Sequence, residues 1–274
     1  MKKIYVWVLA AILVCGASVF TSCSDNDDNP VQPNLNVGEK IIGKWMSAEI
    51  NGKPFPTDNK GVYTFLSTTK ARMSSSVNSR PELGDLWNDN SELDVNINGN
   101  VVTLTHQLDE HKTIKIEMNV TSINAKEMHA NVHASLMVDG AVARAMNDHI
   151  RYERIEENYR TAILGMWEGR STGAEGSEFD DGENHRWEYL ADGTFRYYHK
   201  VDGEWQISDD VLHDYFVDGT LLCTRWKNAG EGQEEHREWW EIESIQNGVM
   251  KWIALRMRED GSTYIATFEM TKVQ

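Results

Sequence analysis

The chain has 274 residues, of which 26% are charged, and its 43 acidic residues outnumber 27 Lys and Arg to give a formal net charge of −16. Nucleic acids and anionic lipid surfaces are both polyanions, so a chain with this charge is not expected to bind either of them. The length is sufficient for two domains, each with a core of ordinary size.

Residues 1–22 have the pattern of a secretory signal peptide. A short basic segment, Met1 to Lys3, precedes an unbroken apolar run over residues 4–14. That run is too short for a membrane span, which needs ~20 apolar residues, whereas its length and its basic flank are typical of a cleavable leader. The sequence therefore predicts that the protein is exported from the cytoplasm.

The leader ends in Val-Phe-Thr-Ser immediately before Cys23, and this segment resembles a bacterial lipobox. The resemblance implies cleavage before Cys23 and a diacylglycerol group on its thiol. A lipidated terminus that carries more than one acyl chain is a sufficient membrane anchor. The alternative is an ordinary leader that happens to be followed by a cysteine.

Residues 23–39 are predicted to form an acidic, disordered tether, because they show no apolar periodicity. Asp25, Asp27 and Asp28 follow the predicted lipid site directly. This cluster resembles the surface-export signal of Bacteroidota lipoproteins, and the alternative is a solvated linker. The predicted location is the outer membrane, with the folded part facing either the periplasm or the outside of the cell.

Cysteine content permits no disulfide within the mature chain. Cys15 is lost with the leader, Cys23 is predicted to carry lipid, and only Cys223 remains, whereas a disulfide needs two free cysteines. Cys223 lies in an apolar strand pattern, which indicates a buried small apolar residue rather than a nucleophile.

A five-residue segment occurs twice in the chain. Residues 41–45 (IIGKW) return as residues 163–167 (ILGMW). Further pairs follow in the same order: residues 98–100 with 218–220, and residues 120–123 with 242–245. Repetition at one large spacing indicates a tandem duplication, with one domain over residues 40–156 and the other over residues 157–274.

Both copies have the two-residue alternation of β-strands. Residues 114–120 (IKIEMNV) alternate throughout, and Asn-Gly or Asp-Gly pairs at Gly99, Gly193, Gly219 and Gly261 indicate hairpin turns. Short strands at this spacing predict an all-β fold of two tandem antiparallel β-barrels, each with roughly eight strands. Closure is favoured because a long meander otherwise leaves two exposed edges.

The head of each copy resembles the lipocalins and the wider calycin superfamily. Gly43 and Trp45, and then Gly165 and Trp167, form the Gly-x-Trp motif at the start of the first strand. The resemblance covers both copies and is closest to the lipocalin-like domains of Bacteroidota lipoproteins. Neither copy shows the second lipocalin motif, so the domains are lipocalin-like.

The resemblance also implies a partner for each motif tryptophan. In the family this ring packs across the closed end of the barrel, often beneath a basic side chain of the last strand, in a cation–π contact. Arg154 fits that role in the first copy. The matching position of the second copy is Met270, and Lys272 follows two residues later.

The connection between the copies, residues 154–160, contains no Gly or Pro. A connection that is this short and stiff is expected to hold the two barrels against each other.

No common catalytic motif is present, whether a nucleophile elbow, His-Glu-x-x-His or Cys-x-x-Cys. His129 and His133 share one face of a strand, a spacing from which a metal site can start. Met128, Ala130 and Val132 alternate with them as the apolar set, so the histidines are expected to face solvent. The sequence predicts a protein that is not an enzyme and has no metal and no cofactor.

Aromatic residues are distributed unequally between the copies. Two tryptophans lie in the first copy, Trp45 and Trp87, and seven in the second: Trp167, Trp187, Trp205, Trp226, Trp239, Trp240 and Trp252. A surplus of large rings beside a small residue and one charge is typical of an apolar pocket with a polar anchor. The predicted ligand-binding residues are Trp187, Tyr189, Trp240 and Trp252, with Arg256 as the anchor. The competing explanation is that the second barrel packs tryptophan where the first packs methionine.

Two main functions from different classes remain open, and a third, less favoured one is enzymatic, since the resemblance implies a calycin-like barrel and such barrels occasionally host catalysis. The first is non-enzymatic binding of a small apolar or amphipathic molecule in the second barrel, or of a glycan stacked on exposed rings at its mouth. The second is an interaction module that docks on a partner protein or glycan at the cell surface, with both barrels solidly packed. Nucleic acid is not an expected partner, and membrane contact is expected through the lipid on Cys23.

Overall fold

The computed structural model describes residues 35–77, 86–173, 182–230, 234–258 and 260–273. The predicted leader, the lipid site Cys23 and the acidic cluster lie outside the described residues. No helix in the described part of the chain has the length and apolar character needed to cross a bilayer.

Two antiparallel sheets make up the described chain, and the predicted all-β fold is confirmed, with a closed barrel in the first copy and a curled, open sheet in the second. The first sheet contains β1 (Gly43–Ile50), β2 (Lys53–Pro54), β3 (Gly61–Phe65), β4 (Lys70–Val77), β5 (Leu86–Asn98), β6 (Val101–Gln107), β7 (Lys112–Ile123), β8 (Glu127–Val138) and β9 (Ala141–Ile155). The second contains β10 (Gly165–Gly173), β11 (His185–Tyr189), β12 (Phe195–Val201), β13 (Glu204–Ile207), β14 (Leu212–Asp218), β15 (Leu221–Lys227), β16 (Glu235–Gln246), β17 (Val249–Met257) and β18 (Thr263–Lys272).

The first sheet closes into a barrel. Its strands pair in the order β1-β3-β4-β5-β6-β7-β8-β9, and β1 also pairs with β9, while β2 forms a short extra hairpin with β1. The interior is filled by apolar side chains, among them Trp45, Phe65, Met118 and Tyr152, each at most 1% exposed. Interdigitated side chains fill such a small barrel, as they do in other eight-stranded barrels.

The start of the first barrel differs from the predicted boundary of the tether. A one-turn helix, α1 (Val37–Lys40), precedes β1, and Val37 is buried in the first core with Leu35 packed against it. The backbone N–H of Leu35 also donates to Asn100 Oδ1 at 3.3 Å. Residues 35–39 are therefore part of the fold, because Val37 and Leu35 pack on the first core.

The second sheet is curled but open. Its strands pair in the order β13-β12-β11-β10-β18-β17-β16-β15-β14, so β13 and β14 are its two edges. A single bridge, between Thr194 and Asp214, joins the two ends of the sheet within the described chain. The second copy thus follows the barrel path of the first without completing it.

A third apolar core lies between the two sheets. Its buried members come from both copies: Met46, Val62, Ile155, Phe216, Leu221, Cys223 and Trp239, with Trp87 packed against them. Lys44 forms an ion pair with Asp218, which is 2% exposed and also accepts from Ser74 Oγ at 2.6 Å. The expected packing of one copy against the other is present.

Cys223 is fully buried in this third core, as the apolar strand pattern around it predicts. Burial raises the pKa of its thiol well above the ordinary value. The thiol is therefore protonated at neutral pH, and the side chain serves as a small apolar residue.

Candidate functional site

The open side of the second sheet forms a cleft. At one end its two sides are held together by the backbone N–H of Tyr215, which donates to the carbonyl of Gly193 at 2.9 Å. At the other end the segment between β13 and β14 crosses from side to side, since Ser208 N donates to Tyr197 O at 2.8 Å and Val211 N to Lys227 O at 2.9 Å. The chain therefore fixes both ends of the opening and leaves its middle unpaired.

The cleft has a volume of about 290 Å³. It is lined by Trp187, Phe195, Tyr197, Ser208, Asp210, Thr224, Trp226, Asn228 and Glu238. These residues come from β11, β12, β15, β16 and the segment that crosses the opening, apart from Asn228, which directly follows β15. Four of the nine lining residues are aromatic and five are polar or charged, and rings beside placed polar groups are typical of a site for a small molecule.

Aromatic rings form the inner wall of the cleft. Trp187 is buried and lies at the bottom, 5.4 Å from the ring of Tyr197. The Tyr197 hydroxyl lies 2.8 Å from His185 Nδ1, a hydrogen bond that fixes the phenol ring against the wall. Trp226 stacks on His236 at 5.6 Å on the opposite side of the opening. Both sides of the cleft thus carry a positioned ring.

The polar lining contains two carboxylates. Ser208 Oγ donates to Asp210 Oδ2 at 2.6 Å, and His213 Nε2 lies 3.6 Å from the same oxygen. Glu238 is 7% exposed, and its Oε1 lies 3.5 Å from a terminal nitrogen of Arg256. Both carboxylates are therefore held in place by their neighbours.

Ser208 is not arranged as in a Ser-His-Asp triad, because its hydroxyl donates to the Asp210 carboxylate and not to a histidine. Within the described ranges no group of acidic, histidine or cysteine side chains has the arrangement of a metal site. His129 and His133 lie on the outer surface of the first barrel, where His133 Nδ1 is 2.8 Å from Asn147 Oδ1.

Of the four rings predicted from the sequence, Trp187 is the one that lines the cleft. Tyr189, Trp240 and Trp252 are 1–2% exposed and lie in the core behind it, with Trp240 and Trp252 5.4 Å apart. None of the four is an exposed ring, so a glycan cannot stack on them in this structure. These three rings therefore do not line the described cleft, because they pack among the other side chains of the second core. Their role toward a ligand stays a prediction.

Three polar atoms in this core have no hydrogen-bond partner among the residues that the structure describes: Tyr189 Oη, Trp240 Nε1 and Trp252 Nε1. Burial, with the Glu238 carboxylate nearby, raises the pKa of Tyr189 well above its ordinary value. Unpaired buried donors cost free energy, so the deepest part of the second barrel is less completely satisfied than an apolar core would be.

Arg256 lies at the boundary between this core and the cleft. Its guanidinium stacks over Trp240, with Cζ 4.7 Å from the ring centroid, and it faces Glu238. The predicted anchor is therefore engaged with a carboxylate of the cleft lining. Its role toward a ligand stays a prediction.

The Gly-x-Trp motif has its own geometry at the far end of each barrel. Trp45 is buried, its indole N–H donates to Ile41 O at 2.6 Å, and Arg154 Cζ lies 4.2 Å from its ring centroid. Gly43 has a φ of 124°, and a Cβ there would collide with the Arg154 guanidinium. Glycine is therefore needed both for the backbone conformation and to admit the arginine.

The second copy repeats this arrangement with lysine. Trp167 donates to Ile163 O at 2.6 Å, and Lys272 Nζ lies 5.1 Å from its ring centroid. Gly165 has a φ of 108°, and Lys272 Cε would be 3.1 Å from a Cβ added there. Met270, the position that matches Arg154 in sequence, is buried in the core instead.

The sequence did not identify most of the cleft. The missed residues are Phe195, Tyr197, Ser208, Asp210, Thr224, Trp226, Asn228 and Glu238. Strand alternation does place Phe195 with Tyr197, and Thr224 with Trp226, on common faces. That signal does not say which strands stay unpaired. The cleft exists because the edge strands β13 and β14 do not pair with each other.

Comparison of the sequence with models of known protein families gives no match, and no curated protein matches it. Among solved structures, the chain is similar to a double mutant of the vaccine antigen Transferrin Binding Protein B from Haemophilus parasuis, with 8% sequence identity and a TM-score of 0.23. The match covers 78% of this chain and 53% of that chain, so the protein spans about half the length of that antigen. Similarity at this level assigns neither family nor ligand, and the fold rests on the strand pairing of this chain itself.

Proposed function

We propose that the protein is a non-enzymatic binding lipoprotein that holds a small amphipathic molecule in the cleft of the second barrel. The observation that carries this proposal is the open side of the second sheet, where a cavity of about 290 Å³ is lined by aromatic rings and a few fixed polar groups. That volume is close to the lower end of the ~300–1,000 Å³ range of small-molecule sites.

The first barrel serves as the support for this site in the proposal. It is closed by the β1–β9 pairing and filled by its own core. Its Met46, Val62 and Ile155 also cover the face of β14 and β15 opposite the cleft, where Phe216, Leu221 and Cys223 lie. One half of the molecule would thus hold two strands of the cleft in place while the other half supplies the ligand contacts.

The competing function, docking on a partner protein or glycan with both barrels solidly packed, predicts a second barrel without a ligand-sized opening. The cleft favours the binding function over docking.

The pattern of residues 1–28 supports a location at the outer membrane, with lipid on Cys23 and the acidic cluster as the signal for display outside the cell.

A direct test uses the full mature chain in a soluble form with Cys23→Ala. Titration with Nile red, a neutral dye whose emission increases in apolar surroundings, is expected to show saturable binding. Trp226→Ala should weaken binding, since that ring forms one wall of the cleft. Trp205→Ala is the matched control, because Trp205 is also half-buried but lies on β13 beneath Arg186, at 4.2 Å, and is not part of the lining.

Native mass spectrometry of the protein purified from its own host provides a second readout, because a retained small molecule adds its own mass. Equal dye binding by the parent and by Trp226→Ala, or no saturable binding at all, would contradict the proposal. Retention of a protein or glycan partner without any small molecule would support docking instead.

A further inference from the structure

We infer that the ligand of the cleft is an organic cation, an amine or quaternary ammonium group attached to an apolar body. This inference rests on the proposed function and adds to it the chemical class of the ligand. It follows from the charges and the rings that line the cleft, and from how each of them is held.

The charged residues that line the cleft are both acidic. Asp210 and Glu238 are part of the lining, and none of the nine lining residues is Lys or Arg. The Asp210 side chain is 15% exposed, so its carboxylate lies at the entrance but is largely removed from bulk water. A carboxylate in such a position interacts with a cation more strongly than it would at a free surface.

Each carboxylate is held by a neighbour that is not part of the lining. Arg256 stacks on the core ring Trp240 and approaches Glu238 Oε1 at 3.5 Å. His213 lies 3.6 Å from Asp210 Oδ2 and packs on Phe195, with ring centroids 5.2 Å apart. The formal charges within the lining itself are therefore those of the two carboxylates.

The aromatic lining favours the same class of ligand. Trp187, Tyr197 and Trp226 present rings on both sides of the opening. The face of an aromatic ring attracts a cation, with Trp the best and Tyr next, and quaternary ammonium groups are recognised by such rings. An anion would instead meet two carboxylates on a chain of net charge −16.

A matched ligand series tests this inference on the full mature chain with Cys23→Ala. Octyltrimethylammonium, octanol and octanoate share an eight-carbon chain and differ in head-group charge. Isothermal titration calorimetry at pH 7 is expected to show the ammonium binding at least ~10-fold more tightly than the octanoate. Its affinity should also fall as salt is added, because ionic interactions near a surface are screened.

Removal of one charge at a time locates the effect. Asp210→Asn should weaken ammonium binding several-fold and leave octanol binding unchanged. Glu238→Gln should act in the same direction, and Asp210→Asn remains decisive if loss of the buried Glu238 charge disturbs folding. Glu269→Gln is the control for net charge, because Glu269 is a half-exposed residue of β18 whose partner is Lys251 at 3.1 Å.

The outcomes separate the two proposals. Octanol or octanoate binding as tightly as the ammonium, with sensitivity to Trp226→Ala, would overturn the cation inference and leave the proposed function in place. Binding of none of the three, together with no binding of Nile red, would overturn both. An equal loss of ammonium binding in Glu269→Gln and Asp210→Asn would show that net charge and not the cleft is responsible.

Discussion

The indole N–H of Trp239, in the second sheet, donates to the backbone carbonyl of Ser76, in the first, at 2.5 Å. Both residues are buried, and Trp87 packs beside them against Phe216 with ring centroids 4.9 Å apart. The two copies are therefore joined through an interior that neither possesses alone. Separate expression of either half would expose this core to water.

Trp239→Ala is expected to lower the free energy of unfolding by about 3–5 kcal/mol, the usual cost of removing a buried large ring. The variant also leaves the Ser76 carbonyl without its donor. Denaturant unfolding followed by far-ultraviolet circular dichroism measures the loss. Trp205→Ala, which removes a half-buried ring on β13, should cost much less, and equal losses in the two variants would contradict a special role for the shared core.

The basic partners of the two motif tryptophans are expected to contribute unequally to the stability of the protein. Arg154 stacks on Trp45 and also donates to Ile42 O at 2.7 Å and Lys40 O at 2.6 Å. Lys272 has a longer ring contact with Trp167, at 5.1 Å. Arg154→Met should therefore destabilise the protein by about 1–3 kcal/mol.

Lys272→Met is the matched variant for this comparison and should cost under ~1 kcal/mol. Thermal unfolding of the two variants beside the parent gives the difference directly. A larger loss in Lys272→Met than in Arg154→Met would show that the hydrogen bonds of Arg154 add nothing to its ring contact.

Stability is expected to fall between about pH 10 and pH 12. Burial raises the pKa of Tyr63 and of Tyr215 from the ordinary value of 10.0 to about 12. Over that window the unfolded chain releases phenol protons that the native state retains, so the free energy of unfolding decreases as pH rises. The stabilising contribution is fully present below pH 10.

Tyr63→Phe should make this decrease shallower, whereas Tyr264→Phe, at a half-buried ring beneath Arg258, is the control. Melting temperature against pH and absorbance of phenolate near 295 nm provide two readouts. Identical alkaline profiles for the parent and Tyr63→Phe would contradict the assignment.

For the anchor, Cys23→Ala is expected to move the protein from the membrane fraction to the soluble fraction, since no lipid can then be attached at that position. Fractionation of host cells with immunodetection measures the shift. Unchanged membrane partition would remove the lipobox interpretation.

The acidic cluster has a separate test. Joint replacement of Asp25, Asp27 and Asp28 with Ala should leave the anchor intact and protect the protein from protease added to whole cells. The Cys23→Ala variant is the control for anchoring. Equal cleavage of the triple variant and the parent would remove the export-signal interpretation.

The duplication and its strands were predictable from sequence because they depend on local pattern. The Gly-x-Trp motif lies at the start of β1 and of β10, and the Asn-Gly and Asp-Gly pairs lie in turns. Closure was not predictable, because it depends on whether two distant edges pair. Residues 208–211 cross the opening between these two edges. Within the described chain no ladder of backbone hydrogen bonds joins β13 to β14.

The number of tryptophans in the second copy did not predict which core each of them packs in. Trp239 and Trp240 are adjacent on β16 and both buried, although neighbouring strand residues point to opposite faces. Trp240 packs in the second barrel and Trp239 in the core between the sheets. Two buried neighbours on one strand indicate a sheet that is covered on both sides. Residues 221–224 and 239–240 show this pattern in the sequence itself.

The opening in the second sheet lies in the side wall and not at an end of the barrel. A molecule that enters an ordinary barrel end-on is limited in length by the depth of the cup. Lateral entry removes that limit, since a head group can occupy the cleft while the remainder of the molecule extends along the outside. A ligand of the proposed site would therefore not be limited to the size of the cleft, because the part of it that does not fit would remain outside the barrel.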